Sequence, residues 1–281
     1  MRKIHPVRGP ELLIAPRATA GPTPAAVTRL ASYYGNGAAR PPALLRANMV
    51  VSADGAVSVD GRSAGLSGPA DRMVFTVLRS LADVILVGAG TARAERYRPV
   101  QADEIWAGLR PAGAPVPPIA VVSGRLNLDA DSKLLAAAGP DARTIVITTA
   151  AASPDRRVAI ARRAHVIEAG EDRVDFAAAV RALRELGYAR ILTEGGPTLL
   201  GHLAEAGLLD ELCLTTSPVL AGGSAGRILT SPPLCGARLS LAHVLADDGF
   251  LFSRYLRAAD VAPHAASSTS GTCGAGRETA P

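Results

Sequence analysis

"ARILTEGGPTLLGHLAEAGLLDEL", residues 189–212, sets an apolar, β-prone run directly before a carboxylate, Glu194, then two glycines and a proline where a helical pattern begins. A segment built only for packing needs none of those four residues. Gly195 and Gly196 let the backbone approach a ligand closely, and the first turn of a helix starting at Pro197 offers free N–H groups and the positive end of its dipole to an anion. Pro197 suits that first position because its missing N–H would be unpaired there anyway. The glycine pair alone serves equally well as a tight strand-to-helix turn. Glu194 favours the ligand: a carboxylate at the tip of a buried strand needs a partner, since burying it bare is expensive. A substrate N–H would be such a partner, and so would a neighbouring Arg.

Working outward, the alternation of strand and helix continues in both directions. "DVILVGAG" (83–90) is too uniformly apolar for a half-exposed strand and reads as a central one. "PIAVVSG", "ARTIVITT" and "AHVIEAG" read as strands, "SPDRRVAIARR" and "DRVDFAAAVRALRELG" as helices. In "LSGPADRMVFTVLRSLA" Ser67 is a candidate N-cap, Pro69 suits the first turn, and Met73, Val77, Leu78 and Leu81 fall at helical spacing. Short β-prone runs flank Asp54-Gly55, a strand–turn signal, and "RLSLAHVLADDGFLFSRYLR" reads as a hairpin turning at Asp248-Gly249. The pattern predicts an α/β fold: a mostly parallel central sheet flanked by helices, with a C-terminal antiparallel hairpin. Residues 1–42 read as an N-terminal extension with a Pro-rich lead and a short helix in "TPAAVTRLASYYG". Residues 43–257 read as one domain, and 258–281 as a small, polar, disordered tail.

Composition narrows the function classes. Among 281 residues, 48% are apolar and 20% charged, the balance of a globular protein. No apolar run approaches the ~18 residues of a membrane span, and prolines and Glu11 interrupt the basic start too early for a secretory signal, so a cytoplasmic protein away from membranes is expected. The net charge of +5 is scattered, and aromatics make up only 4%, which disfavours nucleic-acid binding. Cys213, Cys235 and Cys273 lack CxxC spacing, against a zinc site or a disulfide framework. Neither a Ser/His/Asp grouping nor a metal-ligand cluster emerges.

In an open α/β sheet, ligands collect at the carboxyl ends of the strands. Four polar, Gly-rich segments fall there: 52–55, 88–91, 123–125 and 194–198. "VGAGT" is not a full dinucleotide fingerprint, because no third, helix-capping glycine follows. Asp54 is either a turn residue or an acid, and Arg79 either a phosphate ligand or one half of a surface ion pair.

"NMVVSADG", "LSGPADRMVFTVLRSLADVILVGAGTARAERYRP", "AVVSGRLNL" and "ILTEGGPTLLGHLAEAGLLDELCLTTSPVLAGG" stand in the order and spacing of the reductase domain of riboflavin biosynthesis, and the chain resembles that family, in a stand-alone form, over 43–257. The resemblance implies a dihydrofolate reductase-like fold and NADPH-dependent reduction of 5-amino-6-(5-phosphoribosylamino)uracil, with hydride delivered to C1′ of the ribosyl group. On the cofactor side it implies Val50, Gly88, Gly90, Thr91, Glu95 and Ser123. Gly195, Gly196, Pro197, Thr198 and Leu199 follow, with the backbone as far as His202. On the substrate side it implies Ser63, Arg79, Arg98 and Glu194, with Arg79 on the ribose phosphate. Asp54 is the candidate proton donor or water-orienting group, and Glu194 the second catalytic candidate. Relatives commonly pair, so a homodimer is expected, with a small phosphorylated heterocycle as partner.

The chain also departs from the pattern, with Asn48 for a usual Lys, Gly65 for a usual Trp and "ERY" (95–97) for Asp-Asp-Pro. The amino-terminal deaminase motifs of bifunctional relatives are missing from residues 1–42. Two alternatives therefore stay open: a reductase of the same fold acting on dihydrofolate or another pteridine, and an NADPH-binding regulatory protein without turnover.

Overall fold

A computed structural model describes residues 23–35, 43–104, 106–232, 234 and 238–258. The Pro-rich lead, the tail beyond Ala258, Cys235 and Cys273 lie outside the described residues. The strands are β1 Leu44–Ser52, β2 Val84–Gly88, β3 Ile119–Val122, β4 Ile145–Thr148, β5 His165–Glu168, β6 Arg190–Thr193, β7 Glu211–Ser217, β8 Leu239–Asp247 and β9 Phe250–Arg257. The α-helices are α1 Pro24–Tyr33, α2 Pro69–Leu81, α3 Ala89–Ala94, α4 Lys133–Ala136, α5 Pro154–Ala161, α6 Phe176–Glu185 and α7 Pro197–Glu205.

All nine strands form one sheet in the order β5-β4-β3-β2-β6-β1-β7-β9-β8. β5 through β7 are mutually parallel, and the β8–β9 hairpin closes the sheet antiparallel to β7, the architecture expected from the sequence. Uniform apolarity in β2 follows from its central position. Ile85 and Val87 pack in the cluster that contains α2, while Val84 and Leu86 pack in the cluster of α6 and α7. Since β3, β2, β6 and β1 are successive neighbours running the same way, the turns that leave them share one edge of the sheet. Among the described residues no helix is long and apolar enough to cross a membrane.

Three local readings change. Residues 24–34 belong to the body rather than to an appended segment: Val27, Leu30, Ala31 and Tyr34 are buried in one cluster with Val74, Val77 and Leu78 of α2. Arg46 and Arg254 fasten this segment further, each donating at 2.8 Å to a carbonyl, of Tyr34 and Tyr33 respectively. The N-cap of α2 is Gly68, not Ser67, because Pro69 holds the preceding residue extended (φ −130°, ψ −177°). Finally, the run after Asp54-Gly55 forms only an isolated Val59–Arg62 bridge. β1 already pairs with β6 on one side and β7 on the other, so no edge is left for a local hairpin.

Candidate active site

The turns after β2 and β6 are bonded to each other. Gly88 N–H donates to the Gly195 carbonyl at 3.0 Å, and Gly196 N–H donates to Thr91 Oγ1 at 3.1 Å. Gly195 has φ +90°, which favours glycine, and a Cβ on Gly196 would stand 2.4 Å from Thr91 Oγ1. Gly196 is the N-cap of α7, and no side chain caps that helix. Its first turn therefore keeps backbone N–H groups for a ligand. That turn, with Gly88–Thr91, Val122, Phe176 and His202, lines a cavity of about 480 Å³. The His202 ring stacks on Phe176 at 5.1 Å, forming one wall.

A second cavity, of about 330 Å³, shares Thr91, Gly196 and Pro197 with the first, so the two adjoin. It is bounded by Asn48 and Val50 of β1, by Ser58, Ser63 and Ser67, by Asp71 and Phe75 of α2, and by Glu95, Tyr97 and Glu194. Three of these residues are carboxylates, and no Lys, Arg or His lines the cavity among the described residues.

Glu194 is held from below. Arg79 donates to its carboxylate through Nε at 2.7 Å and Nη2 at 2.8 Å, and the Tyr97 hydroxyl donates at 2.6 Å. The guanidinium also lies 4.2 Å from the centre of the Phe75 ring. Burial by itself lowers the Arg79 pKa, but the Glu194 charge and hydrogen bonds outweigh it, and Arg79 stays cationic. Burial, reinforced by the Glu194 charge, pushes the Tyr97 phenol well above its ordinary value, so it remains an O–H donor.

Of the residues singled out from sequence, Val50, Ser63, Thr91, Glu95 and Glu194 line the smaller cavity. Gly88, Gly90, Thr91, Gly196, Pro197, Thr198, Leu199 and His202 line the larger. Gly195, in the turn after β6, accepts from Gly88 N–H without lining either cavity. Glu95 is on the smaller-cavity side only, where it accepts from Ser63 N–H at 2.8 Å. Ser123 is buried at the end of β3, its N–H bonded to the Ile147 carbonyl, and lines neither cavity.

Arg79 is neither a surface ion pair nor a free phosphate ligand: it is 8% exposed and its fork is filled by Glu194. Arg98 pairs with Glu104 in solvent, at 2.9 Å, away from both cavities. Asp54 accepts from Ser52 Oγ at 2.5 Å and from the N–H groups of Ala221 and Gly222 at 3.1 and 2.7 Å. Those bonds, the Ser52 hydroxyl foremost, lower its pKa to about 2. It is a loop anchor outside both cavities and carries no proton to donate at neutral pH.

The sequence reading missed Asp71 and Tyr97. An acid in the first turn of a helix looks like a complement to the helix dipole, and Tyr97 lies in an aperiodic stretch. The only signal for Tyr97 was the departure of "ERY" from the family pattern.

A parallel sheet whose carboxyl edge opens onto two adjoining cavities, one walled by an uncapped helix turn and the other by carboxylates, defines an α/β protein able to hold two small molecules side by side. The family model of the RibD C-terminal domain matches residues 43–250, and the chain belongs to that family. It is 30% identical over 191 residues to the 2,5-diamino-6-ribosylamino-4(3H)-pyrimidinone 5′-phosphate reductase of Archaeoglobus fulgidus, a match covering 67% of this chain and 84% of that protein. The protein of the same name from Methanothermobacter thermautotrophicus is 29% identical over 191 residues, covering 68% of this chain and 83% of its own. Among solved structures, a pyrimidine reductase-like protein from Corynebacterium diphtheriae is similar with a TM-score of 0.69 at 26% identity, over 78% of this chain and 93% of that one. The two archaeal relatives are pyrimidine-type reductases by name.

Proposed function

We propose that the chain is an NADPH-dependent reductase of a ribosylaminopyrimidine 5′-phosphate, acting at C1′ of the ribosyl group. The carrying observation is the contact of the 88–91 and 195–198 turns over the uncapped start of α7, beside a second cavity of about 330 Å³. Two features of the larger cavity support a dinucleotide there. Its backbone is open over Gly90, where an added Cβ would meet nothing within 4 Å, and the first turn of α7 suits a pyrophosphate. When bound there, NADPH supplies the hydride.

The chain's own residues position and enclose. Gly88, Gly90, Thr91 and Gly196–Leu199 grip the cofactor, with the stacked rings of Phe176 and His202 as its aromatic wall. Val50 and Ser63 border the reacting region. Glu194, oriented by Arg79 and Tyr97, turns the remaining edge of its carboxylate toward the substrate. The chain works as a homodimer, a reading supported by the bare outer face of the hairpin. Leu241, Val244 and Leu251 stand there 53%, 46% and 45% exposed, opposite the buried Leu245 and Phe252.

NADPH oxidation assayed with the pyrimidine phosphate tests the activity, and fluorescence titration with NADPH tests the cradle independently. Gly196→Ala, which drives a Cβ into Thr91, is expected to weaken NADPH binding by about tenfold or more, roughly the effect of 1.4 kcal/mol. Unchanged NADPH affinity in Gly196→Ala would remove the α7 turn from the cofactor site. Tight binding without turnover would make the chain a regulatory protein.

A further inference from the structure

We propose that Asp71 reads C2 of the pyrimidine, so that the chain prefers the 2,5-diaminopyrimidinone substrate to the 5-aminouracil one. The inference rests on the reductase reading above and deepens it.

Asp71 lies in the first turn of α2, is 8% exposed and lines the smaller cavity. Its Oδ2 accepts from Ser67 Oγ at 2.6 Å, and among the described residues no donor reaches Oδ1. Of the other two carboxylates of the cavity, Glu194 is engaged through both oxygens by Arg79 and Tyr97, and Glu95, which accepts the Ser63 N–H, is only half-buried. Asn48 Oδ1 borders the same space and is buried without a hydrogen-bond partner, whereas Asp71 Oδ1 is open rather than sealed. Buried acceptors left open favour a ligand that brings N–H groups.

The two candidate substrates differ at that point. A 2-amino-4-oxopyrimidine offers an exocyclic N–H beside the ring N3–H, two parallel donors that match the fork of a carboxylate. A uracil ring puts its C2 carbonyl there, oxygen against oxygen. Among the described residues no cation lines the cavity to neutralise that repulsion.

The experiment measures kcat/KM for both pyrimidines in the wild type and in Asp71→Asn, with calorimetric affinities alongside. In the wild type the 2-amino substrate is expected to lead by about 100-fold, the scale of one hydrogen bond to a charged group. In Asp71→Asn, whose amide can donate to a C2 carbonyl, the lead is expected to shrink by about tenfold or more. A merely structural Asp71, complementing the helix dipole, would lower both substrates together and leave their ratio intact, which overturns the proposal. Equal use of the two pyrimidines by the wild type, or preference for the uracil, overturns it while leaving the reductase reading in place. If neither is turned over, the reductase reading falls, and the ratio of the two binding affinities still decides whether Asp71 selects at C2.

Discussion

Two buried carboxylates held by arginine stand at opposite edges of one sheet. Glu211 opens β7, is 3% exposed, and is clamped between Arg46 and Arg254, whose other N–H groups hold α1. Glu194 follows β6 with its side chain as closed to solvent as that of Glu211, 2% against 4% exposed, but it has one arginine and one phenol behind it and lines a cavity. Closed on both sides by cations, Glu211 can only join strands to a helix. With donors on one side, Glu194 keeps an edge for something else. A buried ion pair is therefore no marker of a site; the unfilled side is.

Glu211→Ala is the largest expected break in this comparison. It strands two arginines without their counter-charge and should lower stability by about 3–5 kcal/mol, read from denaturant midpoints, with kcat/KM per folded molecule unchanged. Glu194→Gln is expected to do less to the fold and more to the reaction. Gln retains one acceptor oxygen, so a loss of about 1–3 kcal/mol should accompany a kcat/KM lowered by about tenfold or more. A destabilised Gln variant with native kcat/KM would make Glu194 a second Glu211.

A third test concerns His243, beside the Glu211 clamp, with Tyr33 and Tyr34 edge-on to its ring and Nε2 buried without a partner. Burial, then the Arg254 charge, lowers its pKa from 6.5 to about 4. Between those values the unfolded chain takes up a proton that the folded chain refuses. Stability from this group is thus whole above pH 6.5 and declines as pH falls toward 4. His243→Phe should flatten that slope in thermal melts at pH 4 to 7, and an unchanged slope would assign it to other groups.

The sheet was legible because its signals are local. Apolarity on both faces marked β2, and glycines with Pro197 marked the start of α7. The placement of the 88–91 and 194–198 turns at one edge followed from strand direction alone. Partners of Glu194 were not legible: Arg79 and Tyr97 lie on α2 and in an irregular loop, and no local spacing couples them to β6. The sequence favoured a ligand for Glu194, with a neighbouring Arg as the structural alternative, and the structure supplies the Arg. Asp54 misled because an Asp-Gly turn at a strand end looks the same whether its carboxylate faces a ligand or ties down a neighbouring loop.

The bond from Gly88 to the Gly195 carbonyl joins turns that are remote along the chain yet leave adjacent strands. Neither can drift without the other, and both hang from buried strands in the middle of the sheet. A guest arriving at that berth meets walls whose freedom was surrendered at folding, so little of its contact energy is diverted into ordering the host. The berth is rigid because of where its strands pair, before any ligand has touched it.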